Sequence, residues 1–325
     1  MSTSGNAPEP GSRLDYILTL AELAAAVSES EQALLRQLEP EGTFKLRGNR
    51  VGILPPYVRS FLRERGVDYS FQVIAHINLK GGVGKTTSTI SLATRAAQYG
   101  FRTCILDMDS QGSATLAFGV TPQEDEPIFI DIWHRPGDML MAALHEIQPG
   151  LYLLPSALEN GLLDISLSNP ASQKNAVRGI CDVLRENAFD LVLIDCPPSL
   201  GAAVISSACA ADLIVIPVGF DTFSLKGLQL TVNELNAIHE TFGLPKPELN
   251  VLYTLFDRRV KQSTTTLKKL TAQYGERLIP VPIRTSTQFS KATNTFNTVF
   301  AAPGQRSTKE DYDHCLRHLL NIRLG

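Results

Sequence analysis

The chain has 325 residues, a formal net charge of −3 and 43% hydrophobic residues, values that exclude a strongly basic or a largely disordered protein. Its length is enough for one full α/β domain with a smaller domain attached. Residues 1–13 lack the apolar core of a secretory signal and no long apolar run follows, so we expect a cytoplasmic protein with a disordered tail at 1–13. The five cysteines lack C-x-x-C spacing, which argues against a zinc or iron–sulfur site.

Residues 14–69 predict a small helical domain. The segments Thr19–Glu22 and Ser28–Glu31 have the capping-box pattern, and each one opens an apolar helical run. A Gly-Asn turn within Phe44–Ile53 predicts a hairpin, and a third helix is expected from Tyr57 to Arg65. This layout resembles a DNA-binding winged helix-turn-helix. The second helix has few side chains that read bases, so sequence-specific DNA binding and a docking or dimerisation role both stay open.

A glycine-rich loop follows, between a predicted strand at Gln72–Asn78 and a predicted helix at Thr87–Tyr99. Its glycines allow consecutive backbone N–H groups to converge on an anion at the helix N-terminus. Strand, loop and helix in this order predict a phosphate-binding loop, in which Lys85 holds the β- and γ-phosphates and the Thr86 hydroxyl binds Mg²⁺. The predicted nucleotide-binding residues here are Lys80, Gly81, Gly82, Val83, Gly84, Lys85, Thr86 and Thr87.

The loop departs from the standard pattern, because Leu79 stands where the first glycine belongs and Lys80 follows it. The form K-G-G-x-G-K-T-T resembles the deviant Walker A motif of the ParA/MinD ATPases. This resemblance implies ATP and Mg²⁺ as cofactors and a homodimer in the ATP-bound state, in which Lys80 reaches the phosphates held by the other subunit. It also implies that residues 70–325 form an ATPase domain. Strand and helix alternate through this region, which predicts an α/β fold with a doubly wound, mostly parallel sheet of the P-loop NTPase type.

Carboxylates end two of the predicted strands, at Asp107 and Asp195, and Asp109 follows the first. The carboxyl ends of parallel strands are where doubly wound sheets bind nucleotides. The resemblance implies that Asp109 orients the attacking water near the Mg²⁺, that Asp107 anchors its loop and that Asp195 holds Mg²⁺. Ser110 replaces the proline of the family's D-x-D-P-Q-G segment, which we expect to loosen the turn; a helix N-cap there is the alternative. Residues 197–201 match the family's switch segment, which senses the γ-phosphate.

Basic residues are concentrated late in the chain. Residues 256–291 contain eight basic and two acidic residues, whereas residues 121–166 contain one basic and eight acidic residues. A polyanion would meet the basic region first, although an ordinary solvated helix face is the alternative interpretation. The residues expected to contact DNA are Arg258, Arg259, Lys261, Lys268, Lys269, Arg284 and Lys291.

The last part of the chain completes the predicted site. Leu278–Ile283 is expected to be a final strand, and the resemblance implies that Pro282 and Ile283 hold the adenine. Lys309–Ile322 is amphipathic and is less basic than a membrane-binding helix, so we interpret it as a packed terminal helix without stable membrane association.

These features predict a ParA-type partition ATPase that is associated with the nucleoid, with Lys80, Lys85 and Asp109 as its catalytic residues. The ATP-bound dimer is expected to bind DNA non-specifically and to hydrolyse ATP slowly. No arginine is placed as a finger, so a ParB-like or adaptor protein is expected to stimulate hydrolysis. A MinD-like membrane-cycling regulator and an ATP-switched DNA-binding autorepressor are the alternatives. The cargo, whether plasmid, chromosome or another body, is not identified by the sequence.

Overall fold

A seven-stranded sheet forms the centre of the protein. The computed structural model describes residues 17–221, 224–285, 298–300 and 306–324. The strands are β1 (Leu18–Thr19), β2 (Thr43–Lys45), β3 (Val51–Ile53), β4 (Gln72–His76), β5 (Thr103–Asp107), β6 (His145–Gln148), β7 (Leu151–Leu154), β8 (Leu191–Asp195), β9 (Leu213–Val218) and β10 (Glu248–Tyr253). The large sheet has the order β10-β9-β4-β8-β5-β7-β6, and every pair is parallel except β6 with β7 at one edge. The predicted fold class is therefore confirmed.

Helices cover both faces of this sheet. Their bounds are α1 (Leu20–Ala26), α2 (Glu31–Leu35), α3 (Pro55–Glu64), α4 (Lys85–Gln98), α5 (Ser113–Ala117), α6 (Phe129–Ile132), α7 (Pro136–Ala143), α8 (Leu163–Ser166), α9 (Pro170–Glu186), α10 (Ala202–Ala210), α11 (Ser224–Thr241), α12 (Lys261–Tyr274) and α13 (Arg306–Leu319). Side chains that alternate along β4 enter two separate apolar cores, with Ile74 in one and Val73 and Ala75 in the other. Both faces of the parallel strands are buried, as the near-continuous apolar sequences of β5, β8 and β9 predict.

The N-terminal segment, residues 17–69, contains a small three-stranded antiparallel sheet in the order β1-β3-β2 and the helices α1 to α3. Thr19 and Glu22 form the predicted capping box, with the Thr19 Oγ1 accepting from the Glu22 backbone N–H at 3.2 Å. The second helix is present, but its predicted cap was wrong: the helix begins at Glu31, and Ser30 caps it. Ser28 cannot serve as the cap because it adopts a left-handed conformation, with φ of 58°, at the end of the preceding helix.

This segment shares a core with the nucleotide-binding region, although the sequence suggested a separate module. Leu34 and Leu62 belong to the same apolar cluster as Ile74 of β4 and Leu92 of α4. Polar contacts reinforce the packing: the Tyr69 hydroxyl donates to the Tyr99 carbonyl oxygen at 2.8 Å. The N-terminal segment is therefore packed directly against the helix that follows the phosphate loop.

The predicted strand at Leu278–Ile283 is not a regular strand. Leu278 of this stretch makes an isolated bridge with Val251, and Arg284 just after the stretch makes one with Phe256. The reason is that Pro280 and Pro282 have no backbone N–H to donate to a ladder. The amide of Ile283 still donates to the Tyr253 carbonyl oxygen at 2.8 Å, which holds the stretch beside β10.

The C-terminal helix α13 packs on α4, and Tyr312, Cys315 and Leu316 are buried in the interface. Its amphipathic pattern is thus satisfied within the chain. Among the described residues, no helix is both long enough and apolar enough to cross a membrane. Residues 1–16, which include the predicted disordered tail, lie outside the described part of the chain.

Candidate active site

The loop between β4 and α4 is shaped by glycines and by contacts from neighbouring strands. Gly82 and Gly84 have φ values of 72° and 86°, a region that side chains with a Cβ rarely adopt. Asn78 fixes the start of the loop, because its Nδ2 donates to the Pro217 carbonyl oxygen at 2.7 Å and its Oδ1 accepts from the Lys80 backbone N–H at 2.9 Å. The loop therefore enters α4 with its backbone N–H groups at the positive end of the helix.

The two lysines of the loop point to different partners. The Lys85 ammonium is buried and donates to the Lys80 carbonyl oxygen at 3.1 Å. Burial lowers the pKa of Lys85, while the nearby carboxylate of Asp195 opposes that shift. The Lys80 ammonium instead leaves the loop, forms an ion pair with Asp221 and lies 3.4 Å from the Ser224 Oγ. In a single chain, Lys80 is thus held by the start of α11.

Asp107 and Asp109 form a short acidic turn after β5. The Asp107 Oδ2 accepts from the Thr115 backbone N–H at 2.8 Å and from its Oγ1 at 2.7 Å, so this carboxylate fastens the turn to α5. Asp109 faces the cavity described below. The turn is closed by a hydrogen bond of 2.8 Å from the Gly112 backbone N–H to the Asp109 carbonyl oxygen. The serine at position 110 therefore leaves the turn closed.

Asp195 is fully buried at the end of β8, and neither of its carboxylate oxygens accepts a hydrogen bond from a described residue. Burial raises the pKa of Asp195 well above its usual range, and Asp107 adds to this increase, whereas Thr86 and Lys85 lie close enough to oppose it. An unpartnered buried carboxylate is costly unless a cation meets it. With the Thr86 hydroxyl, Asp195 has the oxygen chemistry and position that suit Mg²⁺.

A cavity of about 410 Å³ opens over the loop. Of the predicted catalytic, nucleotide-binding and metal-binding residues, its lining includes Gly81, Gly82, Gly84, Lys85, Thr86, Thr87, Asp109 and Ile283. Lys80, Val83, Asp107, Asp195 and Pro282 are outside this lining. Val83 is buried, and its carbonyl oxygen accepts from the Thr254 Oγ1 at 2.8 Å, so it supports the loop from behind.

Sequence reasoning missed several residues that line the cavity. Tyr312 of α13 enters it from the far end of the chain, together with Thr254 and Leu255, which follow β10. Leu255 has a φ of 55°, which is unusual for a residue other than glycine. No local pattern marks Tyr312, because its spacing is that of an ordinary apolar face. Leu255 is equally unmarked, because the sequence places it inside an apolar run, Asn250–Phe256, that predicts a strand.

The structure places the predicted DNA-contacting residues in different surroundings. Five are exposed on or just before α12: Arg258, Arg259, Lys261, Lys268 and Lys269. Arg259 forms an ion pair of 2.7 Å with Asp257, and this pair holds the pKa of Asp257 at about 2. Arg284 has a different partner: its Nη2 lies 2.6 Å from Asp311 Oδ1, which ties the cavity wall to α13. Lys291 lies outside the described residues.

The fold and this site define a protein of the P-loop NTPase fold with a deviant Walker A loop. A family model described as "AAA domain" matches residues 71–251. The chromosome partitioning protein ParA of Caulobacter vibrioides is 30% identical over 223 residues, which cover 68% of this chain and 83% of that protein. The chain therefore belongs to the ParA/MinD-type ATPase family.

Three further proteins are similar to this chain. The sporulation initiation inhibitor protein Soj of Bacillus subtilis is 27% identical over 221 residues, which cover 68% of this chain and 87% of that protein. Cobyrinic acid a,c-diamide synthase from Mycobacterium smegmatis, solved with bound ADP and magnesium, is 27% identical with a TM-score of 0.64 and covers 78% of this chain and 97% of its own. A variant of McdA from Cyanothece, solved as a complex with ATP, shares the fold, with a TM-score of 0.69 at 19% identity over 78% of this chain and 97% of its own.

Proposed function

We propose that this chain is a ParA-type partition ATPase whose ATP-bound homodimer binds DNA non-specifically on the nucleoid. A ParB-like or adaptor protein stimulates its slow ATP hydrolysis, and the cycle positions a plasmid, a chromosome or another cargo. The observation that carries the proposal is the divergence of the two loop lysines. Lys85 stays in the loop, whereas Lys80 lies at its outer side with Asp221, from where it can be exchanged to a second subunit.

The residues of the cavity have distinct roles in this proposal. The loop N–H groups and Lys85 bind the β- and γ-phosphates, and Ile283 with Tyr312 forms the apolar wall on which the base rests. Thr86 and Asp195 would hold Mg²⁺, which would neutralise charge on the phosphates when bound. Asp109 orients the attacking water, and Asp107 keeps that turn in place through Thr115. Hydrolysis is slow because no described arginine lines the cavity to stabilise the transition state.

DNA binding is assigned to α12 and the turn before it. Exposed lysines and arginines on one surface attract phosphates without reading bases, which suits a substrate as general as the nucleoid. Dimerisation doubles the number of contacts, so DNA affinity follows the nucleotide state. Membrane cycling is less well supported, since the apolar side of α13 is buried on α4.

Replacement of Lys80 tests this proposal. Lys80→Ala should abolish dimers formed with Mg²⁺ and a non-hydrolysable ATP analogue, measured by analytical ultracentrifugation, while leaving the unfolding transition intact. Lys246→Ala, an exposed lysine just before β10 at the opposite end of the strands, is the matched control and should dimerise normally. Unchanged dimerisation of Lys80→Ala would reject the role across subunits.

A second function, repression of its own gene, is favoured by one observation. The β2–β3 hairpin exposes Lys45 and Arg50, as a DNA-binding wing does. A gel shift on the upstream region of the gene, with wild type and Lys45→Ala/Arg50→Ala, tests it: a sequence-specific shift that the variant loses supports repression, and no preference over random DNA contradicts it.

A further inference from the structure

Three large apolar side chains lie exposed on the segment between β7 and α9. Leu158, Leu162 and Ile165 have exposed fractions of 75%, 53% and 74%, and they are spaced four and three residues apart. We call these three residues the apolar stripe. Exposed apolar side chains grouped in this way mark interaction surfaces, and the spacing suits a partner helix laid along them.

We propose that the apolar stripe docks an amphipathic helix with an apolar face and lysine or arginine side chains, carried by a second protein, and that docking changes the rate of ATP hydrolysis. This inference rests on the proposed function, because it assigns the place where a stimulating partner acts. It depends on two connections between the segment and the active site.

The first connection runs to the acidic turn. The Ser156 backbone N–H donates to the Thr115 Oγ1 at 2.9 Å, and the same Thr115 hydroxyl donates to the Asp107 Oδ2 at 2.7 Å. Asn160 holds Ser156 in turn, its Nδ2 donating to the Ser156 Oγ at 2.8 Å. All four residues are buried. We call residues 156–169, which carry the apolar stripe, the stripe segment. Because of these bonds, a displacement of the stripe segment is transmitted to the turn that carries Asp109.

The second connection runs to the switch segment. The Asp164 Oδ1 accepts from the Ala202 backbone N–H at 2.6 Å, so a side chain of the stripe segment caps α10. A β-carbon on Gly201 would lie 2.7 Å from the same oxygen, which shows how closely the two segments pack. The stripe segment is thus bonded both to the turn after β5 and to the helix that follows the switch.

The charge around the apolar stripe indicates which kind of helix binds there. Residues 156–169 contain Glu159 and Asp164 but no lysine or arginine. The helix α6, which carries the exposed Asp131, lies beside them, because the Ile130 backbone N–H donates to the Asn160 Oδ1 at 3.2 Å. A basic helix complements this surface, whereas an acidic helix would be repelled. The acidic surface would also repel its own copy if two stripes met about a two-fold axis, which argues against direct stripe-to-stripe pairing.

The single tryptophan supplies a local probe. The Trp133 Nε1 donates to the Ser166 Oγ at 3.0 Å, so its fluorescence reports on the end of the stripe segment. We would titrate full-length protein with a helical peptide of leucine and lysine, about five turns long, free of tryptophan and with one apolar face. A peptide with glutamate in place of lysine is the charge control. Binding is followed by Trp133 fluorescence, and ATP turnover is measured in parallel.

The variant Leu158→Gln/Ile165→Gln removes the stripe while changing only exposed side chains, and Leu230→Gln, 52% exposed on α11, is the matched control. We expect saturable binding of the lysine peptide to wild type and Leu230→Gln, at least about tenfold weaker binding to the double variant, and no binding of the glutamate peptide. ATP turnover should rise several-fold with the lysine peptide wherever it binds.

Equal binding of the lysine peptide to the double variant would overturn the docking site, and binding without any change in turnover would overturn its coupling to hydrolysis. Loss of ATP-dependent dimers in the double variant would instead assign the stripe to contact between copies of this chain. Failure of the proposed function can be distinguished from failure of the docking proposal. If the proposed function is wrong, the protein hydrolyses no ATP under any condition, while the fluorescence titration still reports docking.

Discussion

Asp107 and Asp195 lie directly opposite each other where β5 and β8 end, as register partners in the parallel ladder. Burial raises the pKa of Asp107 to about 6, against the hydrogen bonds from Thr115, and it raises that of Asp195 further from its usual value. Two buried carboxyls side by side resist ionisation together, so the folded protein holds protons here that the unfolded chain releases.

This relationship predicts how Asp195→Asn changes stability with pH. An acid whose pKa is raised by folding contributes stability that is complete below its unfolded pKa, near 4, and is lost as the pH rises through the folded value. The nucleotide-free variant, which lacks this charge, should therefore gain stability over wild type, and the gain should be larger at pH 8 than at pH 5. Urea unfolding at the two pH values measures it.

The comparison between variant and wild type removes the contribution of His76. That histidine is buried with no partner for either ring nitrogen among the described residues, and burial lowers its pKa to about 3. The stability that the neutral His76 contributes is lost as the pH falls below about 6.5, which is the opposite direction to the effect of Asp195. This contribution of His76 is the same in wild type and in Asp195→Asn, so it cancels. Asp182→Asn, an exposed carboxylate on α9, is the control. If the stability gain of Asp195→Asn over wild type does not depend on pH, Asp195 is ionised at both pH values.

The ion pair of Lys80 with Asp221 predicts a second variant. Both side chains are partly exposed, so the pair contributes at most about 1 kcal/mol. If Lys80 must leave Asp221 to reach another subunit, Asp221→Asn should tighten the ATP-dependent dimer by about two- to fivefold. Sedimentation equilibrium with a non-hydrolysable analogue measures the dissociation constant. Asp182→Asn, which breaks a comparable surface pair with Arg185, should leave it unchanged, and a weaker dimer of Asp221→Asn would contradict the prediction.

The sequence predicted the centre of the site because its signals are local. The sequence predicts a strand that ends at Asp107, which is where β5 ends, and the fixed spacing of Gly82, Gly84 and Lys85 defines a loop that needs few distant contacts. The carboxyl ends of parallel strands meet at one edge, which brings Asp107 beside Asp195 without further information.

Contacts that depend on distant parts of the chain were not predictable. The edge pair β6 and β7 was missed, since it is short and joins the sheet through a pairing of Leu151 with Thr103. Tyr312 reaches the cavity only because α13 crosses α4, and Arg284 is matched by Asp311 from that same helix. Such contacts are determined by how elements pack, which spacing in the sequence does not encode.

The contact between Arg59 and Asp190 predicts how firmly the N-terminal segment is attached. The Arg59 Nη2 donates to the Asp190 Oδ1 at 2.9 Å, and the Arg59 Nη1 donates to the Asp190 Oδ2. The same Nη1 also donates to the Gly100 carbonyl oxygen at 2.8 Å. Arg59→Ala leaves the largely buried Asp190 without this partner and should lower the free energy of unfolding by about 2–3 kcal/mol.

Urea unfolding measures this loss, with Arg63→Ala as the control. Arg63 is an exposed residue of the same helix, and its removal should cost less than about 1 kcal/mol. A separate early transition in Arg59→Ala, seen by limited proteolysis near residue 69, would indicate that the N-terminal segment detaches. A loss no larger than that of Arg63→Ala would mean that the apolar core alone holds the segment in place.

The exposed lysines of α12 predict the salt dependence of DNA binding. Lys268 and Lys269 lie on its solvent side, and each phosphate contact contributes about one unit to the slope of log affinity against log salt. The double variant Lys268→Ala/Lys269→Ala should therefore reduce this slope for the ATP-bound dimer by about two to four, because each subunit loses two lysines. It should weaken binding to DNAs of different sequence equally. Fluorescence anisotropy from about 50 to 200 mM salt measures it. The control Arg185→Ala/Lys246→Ala removes two exposed charges elsewhere and should leave the slope unchanged; an equal reduction would mean that net charge, rather than α12, attracts DNA.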